Sequence, residues 1–149
     1  MNLQQIDAIA WVRGNPARFF SSGRAEAIPL LAYALNDVLE LGRGECRISC
    51  HDGWWVIASD EDWLMHPEFS VRQLFENVVP APEHGEHSLR AEVLVNAFAT
   101  DVFTIAGDVP LVVRGEAPEP SLIARAVEPT WCKRLIAFRM ERQNGALRE

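Results

Sequence analysis

The stretch of sequence that decides the fold is an apolar run interrupted by one turn dipeptide. It reads Ile48-Ser49-Cys50-His51-Asp52-Gly53-Trp54-Trp55-Val56-Ile57-Ala58-Ser59-Asp60. Asp52-Gly53 tolerates positive φ at the centre of a tight turn, so the pattern predicts a β-hairpin. The second strand ends on Asp60, and a carboxylate at the end of a buried strand is costly unless a partner binds it. Asp60 is therefore the first candidate functional residue.

Length and composition indicate one soluble globular domain. The chain has 149 residues, of which 48% are hydrophobic and 23% are charged, and this is enough to bury a single core. We assign residues 1–140 to the domain and residues 141–149 to a polar C-terminal tail. The formal net charge of −7 argues against a nucleic-acid-binding surface, which needs a stripe of Lys and Arg.

The cellular location follows from what the sequence lacks. No stretch approaches the roughly 20 apolar residues of a membrane span, and the N-terminus shows no secretory signal. Three cysteines without a C-x-x-C pair suit a reducing compartment, so we expect a cytoplasmic protein. Cys46 and Cys50 share one face of a strand, where a buried apolar role is expected rather than metal binding.

The elements around the hairpin predict an α+β fold. Apolar residues at helical spacing predict helices over Leu3 to Val12, about Ala25 to Gly42, Ser70 to Val79 and Leu89 to Ala99. Ser70 is the expected N-cap of the third of these helices. Further strands are predicted at Val102 to Ile105, Leu111 to Val113, Arg125 to Val127 and Leu135 to Phe138. The second helix should bury Ile28, Leu31, Leu35 and Val38. This order predicts a two-layer sandwich in which helices cover one face of a mixed β-sheet.

Several segments, taken in order, resemble the N-terminal ATPase domain of the DNA gyrase B subunit, a GHKL (Bergerat-fold) protein. They are Val12-Arg13-Gly14-Asn15-Pro16-Ala17-Arg18-Phe19, Leu35-Asn36-Asp37-Val38, Cys50 through Asp60, His66-Pro67-Glu68 and Val95-Asn96-Ala97-Phe98. The likeness covers roughly residues 4 to 140. It implies that Asp60 stands at the adenine-binding aspartate of the family and Asn36 at its magnesium-binding asparagine.

The residues that hydrolyse ATP in that family are replaced in this sequence. Ala32 stands where the family has its general base, Asp60-Glu61-Asp62-Trp63-Leu64 replaces the D-x-G-x-G motif, Glu86 to Ala91 replaces the glycine-rich lid, and Lys133-Arg134 replaces the G-T motif. Only glycine permits the close backbone approach that a phosphate cradle needs. The resemblance thus implies a domain that has lost ATP hydrolysis and needs no cofactor, while nucleotide binding without hydrolysis stays open.

The resemblance places the candidate site around the former nucleotide pocket. The candidate catalytic residues are Asp60 and His66, since a carboxylate and an imidazole suit proton transfer. The candidate ligand-binding residues are Asn36, Trp63, Met65, Arg90 and Arg134. The pocket is either open to a new ligand or closed by Trp63 and an Arg134–Asp60 ion pair. The run Glu83-His84-Gly85-Glu86-His87 lacks the spacing of a metal site, so we predict no metal.

Two functions from different classes remain open. In the first, the fold binds a small, partly apolar metabolite anchored by Asp60, and would act as a lyase, isomerase or cyclase if it also transforms it. In the second, the chain is a non-catalytic interaction, regulatory or resistance protein that resembles gyrase B. Its protein partner, or a second copy of the chain, would contact an exposed Trp54 or Trp55. The sequence does not decide whether the chain is an enzyme.

Overall fold

A computed structural model describes residues 7–42, 44–81, 89–107, 109–126 and 131–140. Its helices and strands are α1 (Ala8–Arg13), α2 (Ala27–Asp37), β1 (Cys46–His51), β2 (Trp54–Ser59), α3 (Val71–Glu76), α4 (Glu92–Phe98), β3 (Asp101–Ala106), β4 (Val109–Arg114), α5 (Pro120–Ala126) and β5 (Arg134–Arg139). A 3₁₀ turn covers Pro16–Arg18, and a π-helical turn at Val38–Gly42 extends α2. Within these ranges, none of the helices has the length and apolar content to cross a membrane.

The predicted hairpin is present as β1 and β2. The two strands pair antiparallel from Cys46 opposite Ser59 to His51 opposite Trp54, which leaves a two-residue turn. Both turn residues have positive φ, 51° at Asp52 and 86° at Gly53. This is the backbone shape that matches the right-handed twist of the flanking strands.

The sheet is antiparallel at every pairing among the described strands, in the order β1-β2-β5-β3-β4. The α+β class is confirmed, whereas the expected mixed sheet is wrong. The reason is the path of the chain, because two hairpins make the flanking pairs and the last strand, β5, inserts between them. β5 runs antiparallel to both of its neighbours.

The sheet buries both of its faces. On one face Ile57, Ile136 and Phe138 pack with residues of α1 to α4 in the larger core. On the other face Val56, Leu135 and Ala137 pack with Leu122 of α5 and with Cys132. The alternation follows the two-residue period of a strand. The expectation that helices cover one face is therefore corrected, since α5 lies on the second face.

The buried stripe of α2 is rotated from the predicted one. Leu30, Leu31, Ala34 and Val38 are buried, whereas Ile28 is 59% exposed and Leu35 is half-buried. Asp37 belongs to this stripe, because Leu30, Ala34 and Asp37 are spaced at i, i+4 and i+7. The helix thus buries a carboxylate that the apolar pattern did not reveal.

The remaining predicted helices are present with shorter bounds, and one predicted strand is wrong. Ser70 caps α3, as expected, and its side chain accepts from Gln73 N while Gln73 reaches back to Ser70 N. Arg125 and Ala126 end helix α5, where a strand was expected. This helix begins at Pro120, and proline suits the first turn of a helix. Residues 1–6, residues 82–88 and the predicted tail 141–149 lie outside the described residues. Residues 82–88 include Glu86, His87 and Ser88 of the segment that replaces the lid motif.

Candidate functional site

Asp60 binds the segment that leads into β1. Its carboxylate Oδ1 accepts a hydrogen bond from Glu45 N at 2.7 Å. A Cβ on Gly44 would lie only 2.2 Å from the same oxygen, so Gly44 is needed for this close approach. The Asp60 carboxylate at the end of β2 therefore has a structural partner, the backbone N–H of Glu45.

Arg134 pairs with Asp62 and not with Asp60. Its guanidinium makes two hydrogen bonds to the Asp62 carboxylate, Nε to Oδ1 and Nη2 to Oδ2, both at 2.9 Å. Nη1 donates to Thr104 Oγ1 at 3.1 Å. Two parallel bonds of this kind are among the strongest charge-assisted contacts. The expected Arg134–Asp60 pair is wrong, although Arg134 does form a buried ion pair at this end of the sheet.

Trp63 and Arg90 lie together in the interior, and the ligand-binding role expected of them stays a prediction. Trp63 is buried in the larger core, and its carbonyl accepts from Arg90 Nη2 at 3.3 Å. The Arg90 guanidinium also pairs with Glu92, at 2.9 Å from Nε to Oε1, and with Asp37, at 3.6 Å from Nε to Oδ2. Arg90 is thus committed to two buried carboxyl groups.

His66 and Met65 lie in the irregular segment after β2. His66 Nδ1 accepts from Glu68 N at 3.0 Å, which leaves the proton of a neutral ring on Nε2. Its ring packs edge-on against Phe69, with the centroids 5.0 Å apart. Met65 is 73% exposed. Both residues therefore have local surroundings that account for their positions.

Asn36 lies on the exposed side of α2 and lines a cleft of about 550 Å³. The residues that line this cleft, which we call the Asn36 cleft, are Phe19, Phe20, Ser21, Pro29, Ala32, Tyr33 and Asn36. Tyr33 is held in place because its hydroxyl donates to the Phe19 carbonyl at 2.6 Å. Ala32 and Asn36 are one helical turn apart on the wall, so both positions that the resemblance assigned to ATP chemistry face the same space.

Two further clefts lie elsewhere on the described surface. One, of about 590 Å³, is lined by Trp55, Phe98 and Met140 together with Glu26 and Cys50. The other, of about 470 Å³, has Trp54, Arg139 and three carboxylates in its wall, those of Asp52, Glu116 and Glu119. Trp54 is buried and Trp55 is half-buried, so neither is the exposed tryptophan that was expected on the hairpin.

Burial lowers the reactivity of two of the three cysteines, whereas Cys50 is exposed. Burial raises the pKa of the Cys46 and Cys132 thiols, so both are less reactive than free thiols at neutral pH. In the described part of the chain, no three His, Cys, Asp or Glu side chains are grouped to hold a metal ion. His84 and His87 lie outside the described residues.

Sequence reasoning missed Asp37, Asp62 and Glu92. Asp37 had a detectable signal, because it falls on the i, i+4, i+7 stripe of Leu30 and Ala34. Asp62 had none, since its partner Arg134 is distant in sequence. Glu92 follows Arg90 by two residues, which is no helical pairing and gave no sign of a buried contact.

Comparisons with known proteins identify no relative. No family model matches this sequence, and no curated protein or solved structure matches it significantly.

Proposed function

We propose that this chain is a gyrase-B-like domain that has lost ATP hydrolysis and binds a small, partly apolar, uncharged molecule in the Asn36 cleft. The observation that carries the proposal is the shared wall formed by Ala32 and Asn36. In the resemblance these positions belong to the general base and to the magnesium-binding asparagine. A methyl group in place of the base leaves no group there to activate water.

The shape and lining of the cleft support a small ligand. Its volume of about 550 Å³ lies within the range of roughly 300 to 1,000 Å³ that is typical of ligand sites. Phe19, Phe20 and Tyr33 supply apolar aromatic walls, and Ser21 and Asn36 supply a few polar atoms. Among the described residues that line it, none carries a charge, which favours an uncharged ligand over a nucleoside triphosphate.

The interior contacts support the loss of the nucleotide site. Asp60 holds the Glu45 backbone, the Asp62–Arg134 pair occupies the end of the sheet, and Trp63 is buried in the core. A ligand anchored on Asp60 would have to displace these contacts. We therefore place the ligand beside Asn36 and limit the proposal to binding, without a chemical step.

Fewer structural observations support the alternative function, that of a non-catalytic interaction protein. The expected partner surface needed an exposed tryptophan on the hairpin, but Trp54 is buried and Trp55 is half-buried. Aromatic anchors at interfaces act by filling a pocket in the partner, and neither side chain protrudes far enough to do so.

The test compares ligand binding by the protein and by a variant with a filled cleft. Ala32 is exposed, so A32W fills the Asn36 cleft without overpacking the core, and N36A removes the amide. The probes are phenol, benzamide and indole, and saturation-transfer NMR measures their binding. L39W changes another exposed residue near the end of α2 and is the matched control.

We expect the probes to bind the unmodified chain and L39W equally. Binding should fall at least about tenfold in A32W, since blocking a cleft removes its whole contact area, and less in N36A. The proposal is wrong if A32W binds the probes as well as the unmodified chain does, or if no probe binds.

A further inference from the structure

Three ionisable side chains meet in the interior between α2 and α4. Asp37 is the last residue of α2, Glu92 is the first residue of α4, and Arg90 precedes it; their exposed fractions are 1%, 1% and 4%. Arg90 Nε lies 2.9 Å from Glu92 Oε1 and 3.6 Å from Asp37 Oδ2. Ala91 N also donates to Asp37 Oδ2 at 2.8 Å. We call these three residues the Asp37–Arg90–Glu92 cluster.

The two carboxyl groups of this cluster are close together, because both lie within 3.6 Å of the same nitrogen, Arg90 Nε. If both were ionised, two negative charges would be neighbours in the interior, and this arrangement favours the retention of one proton. Besides burial, the neighbouring Asp37 also raises the pKa of the Glu92 carboxyl.

Among the described residues, Arg90 is the one cationic side chain that acts on Glu92. The charged groups that act on it are Asp37 from α2 and Arg90 from the segment before α4. The segment after β2 contributes the uncharged Trp63 carbonyl, which accepts from Arg90. α1 reaches α4 through Arg13, whose Nε donates to the Ala97 carbonyl at the far end of the helix. α3 contacts α4 through the bond from Asn96 to the Phe75 carbonyl.

We propose that Asp37 and Glu92 share one proton in the folded protein, and that loss of this proton as the pH rises loosens the contact between α2 and α4. Burial, and then the neighbouring Asp37, raise the pKa of Glu92 well above its ordinary value of 4.5, and Arg90 offsets only part of this. The cluster is a proton-binding site that links the stability of the helical layer to pH.

The direction of the pH effect follows from proton linkage. Between the ordinary pKa of a glutamate and the raised pKa of Glu92, the folded state binds one more proton than the unfolded state does. The folding equilibrium constant therefore falls as pH rises through this window, by up to about tenfold per pH unit for one proton. Below the ordinary pKa both states are protonated, and the contribution no longer changes with pH.

The experiment measures urea unfolding of the full chain at intervals from about pH 5 to about pH 9. In E92Q the amide takes the place of the protonated carboxyl, because it donates to Asp37 and accepts from Arg90. We expect the folding constant of the unmodified chain to fall across this range, and that of E92Q to lose this component. E40Q, at an exposed glutamate near the end of α2, should behave like the unmodified chain.

A second variant and a direct titration keep the test decisive if E92Q does not fold. D37N also needs no shared proton, since its amide donates to an ionised Glu92, and it should likewise lose the pH component. In the unmodified chain, the Glu92 carboxyl carbon followed by ¹³C NMR should titrate well above the range of exposed glutamates. The proposal is overturned if E92Q and D37N keep the pH dependence of the unmodified chain, or if Glu92 titrates like an exposed glutamate.

Discussion

Single carboxylates fix the connections at both ends of this sheet. Asp60 Oδ1 binds Glu45 N beside Gly44. Asp101 does the same at the other end, because its Oδ1 accepts from Glu116 N at 2.7 Å and its Oδ2 accepts from Arg139 Nε at 2.9 Å. Gly115 is required there, since it has a φ of 73° and a Cβ would lie 2.0 Å from Asp101 Oδ1. Each aspartate replaces a missing backbone partner, which explains why a charge can end a buried strand.

The Asp62–Arg134 pair makes an unequal prediction for its two partners. The Arg134 side chain is 7% exposed and that of Asp62 is 26% exposed. D62A leaves a buried guanidinium without its carboxylate and should lower the free energy of unfolding by about 3 kcal/mol. R134M keeps the apolar stem and leaves an aspartate that water can reach, so it should cost about 1 kcal/mol. Urea denaturation of both variants measures the difference.

The reverse order, with R134M more destabilising than D62A, would contradict this account of the pair. The double variant D62A/R134M serves as its control, because it leaves no unpaired charge behind. It should therefore be more stable than D62A alone.

At this scale the sequence identified residues but not their partners. Trp63 and Arg90 do lie together, although the ligand-binding role expected of them stays a prediction. An ion pair of Arg134 with Asp60 was expected. The predicted partner, Asp60, was wrong. The actual partner, Asp62, lies only two residues further along the chain, so the sequence offers both carboxylates near the end of β2. Only the path of the chain after Ser59 decides which carboxylate reaches Arg134, and local sequence patterns do not encode that path.

The elements depend on turn and cap residues that the sequence does show. The turn at Asp52-Gly53 and the N-cap at Ser70 both appear where they were predicted, and the structure adds a capping box between Ser70 and Gln73. α3 has six residues, too few to be stable without help from its cap and its packing.

Loss of the Ser70 cap should therefore be measurable. S70A removes the acceptor for Gln73 N and should lower the free energy of unfolding by about 1 kcal/mol, as is usual for such caps. S70D is the matched control, because it keeps an acceptor oxygen and adds a negative charge that a helix N-terminus favours, and it should stay within about 0.5 kcal/mol of the unmodified chain. Equal losses in S70A and S70D would show that the hydroxyl acts in another way.

Elements without clear turn or cap residues at their ends were harder to predict. Arg125 and Ala126 were assigned to a strand, but they end α5, whose only start signal is Pro120 at its first position. α2 was predicted with nearly its full length, and Leu31 and Val38 are buried as predicted, whereas Ile28 and Leu35 are not. Ile28 and Leu35 fit an apolar stripe as well as Leu30 and Ala34 do, and only the packing against β2 and α4 selects between the two faces.

At the scale of the whole molecule, the topology of the sheet and the position of the clefts are tertiary properties. β5 comes last in the chain yet lies at the centre of the sheet, which no local pattern specifies. The α+β class could be predicted because it depends on the order and type of elements. The Asn36 cleft could not, since it depends on how the segment around Phe19 and Phe20 folds back over α2.

We propose that the ligand site lies beside Asn36 and not at Asp60. Chemical-shift mapping of the ¹⁵N-labelled chain tests this placement, with ATP plus magnesium in one titration and the tightest of the neutral aromatic probes in another. We expect saturable shifts at Ser21, Tyr33 and Asn36 with the neutral probe, and no saturable shifts around Asp60 with the nucleotide. Saturable nucleotide shifts that include Asp60 and Asn36, or probe shifts that leave the Asn36 cleft unchanged, would contradict it.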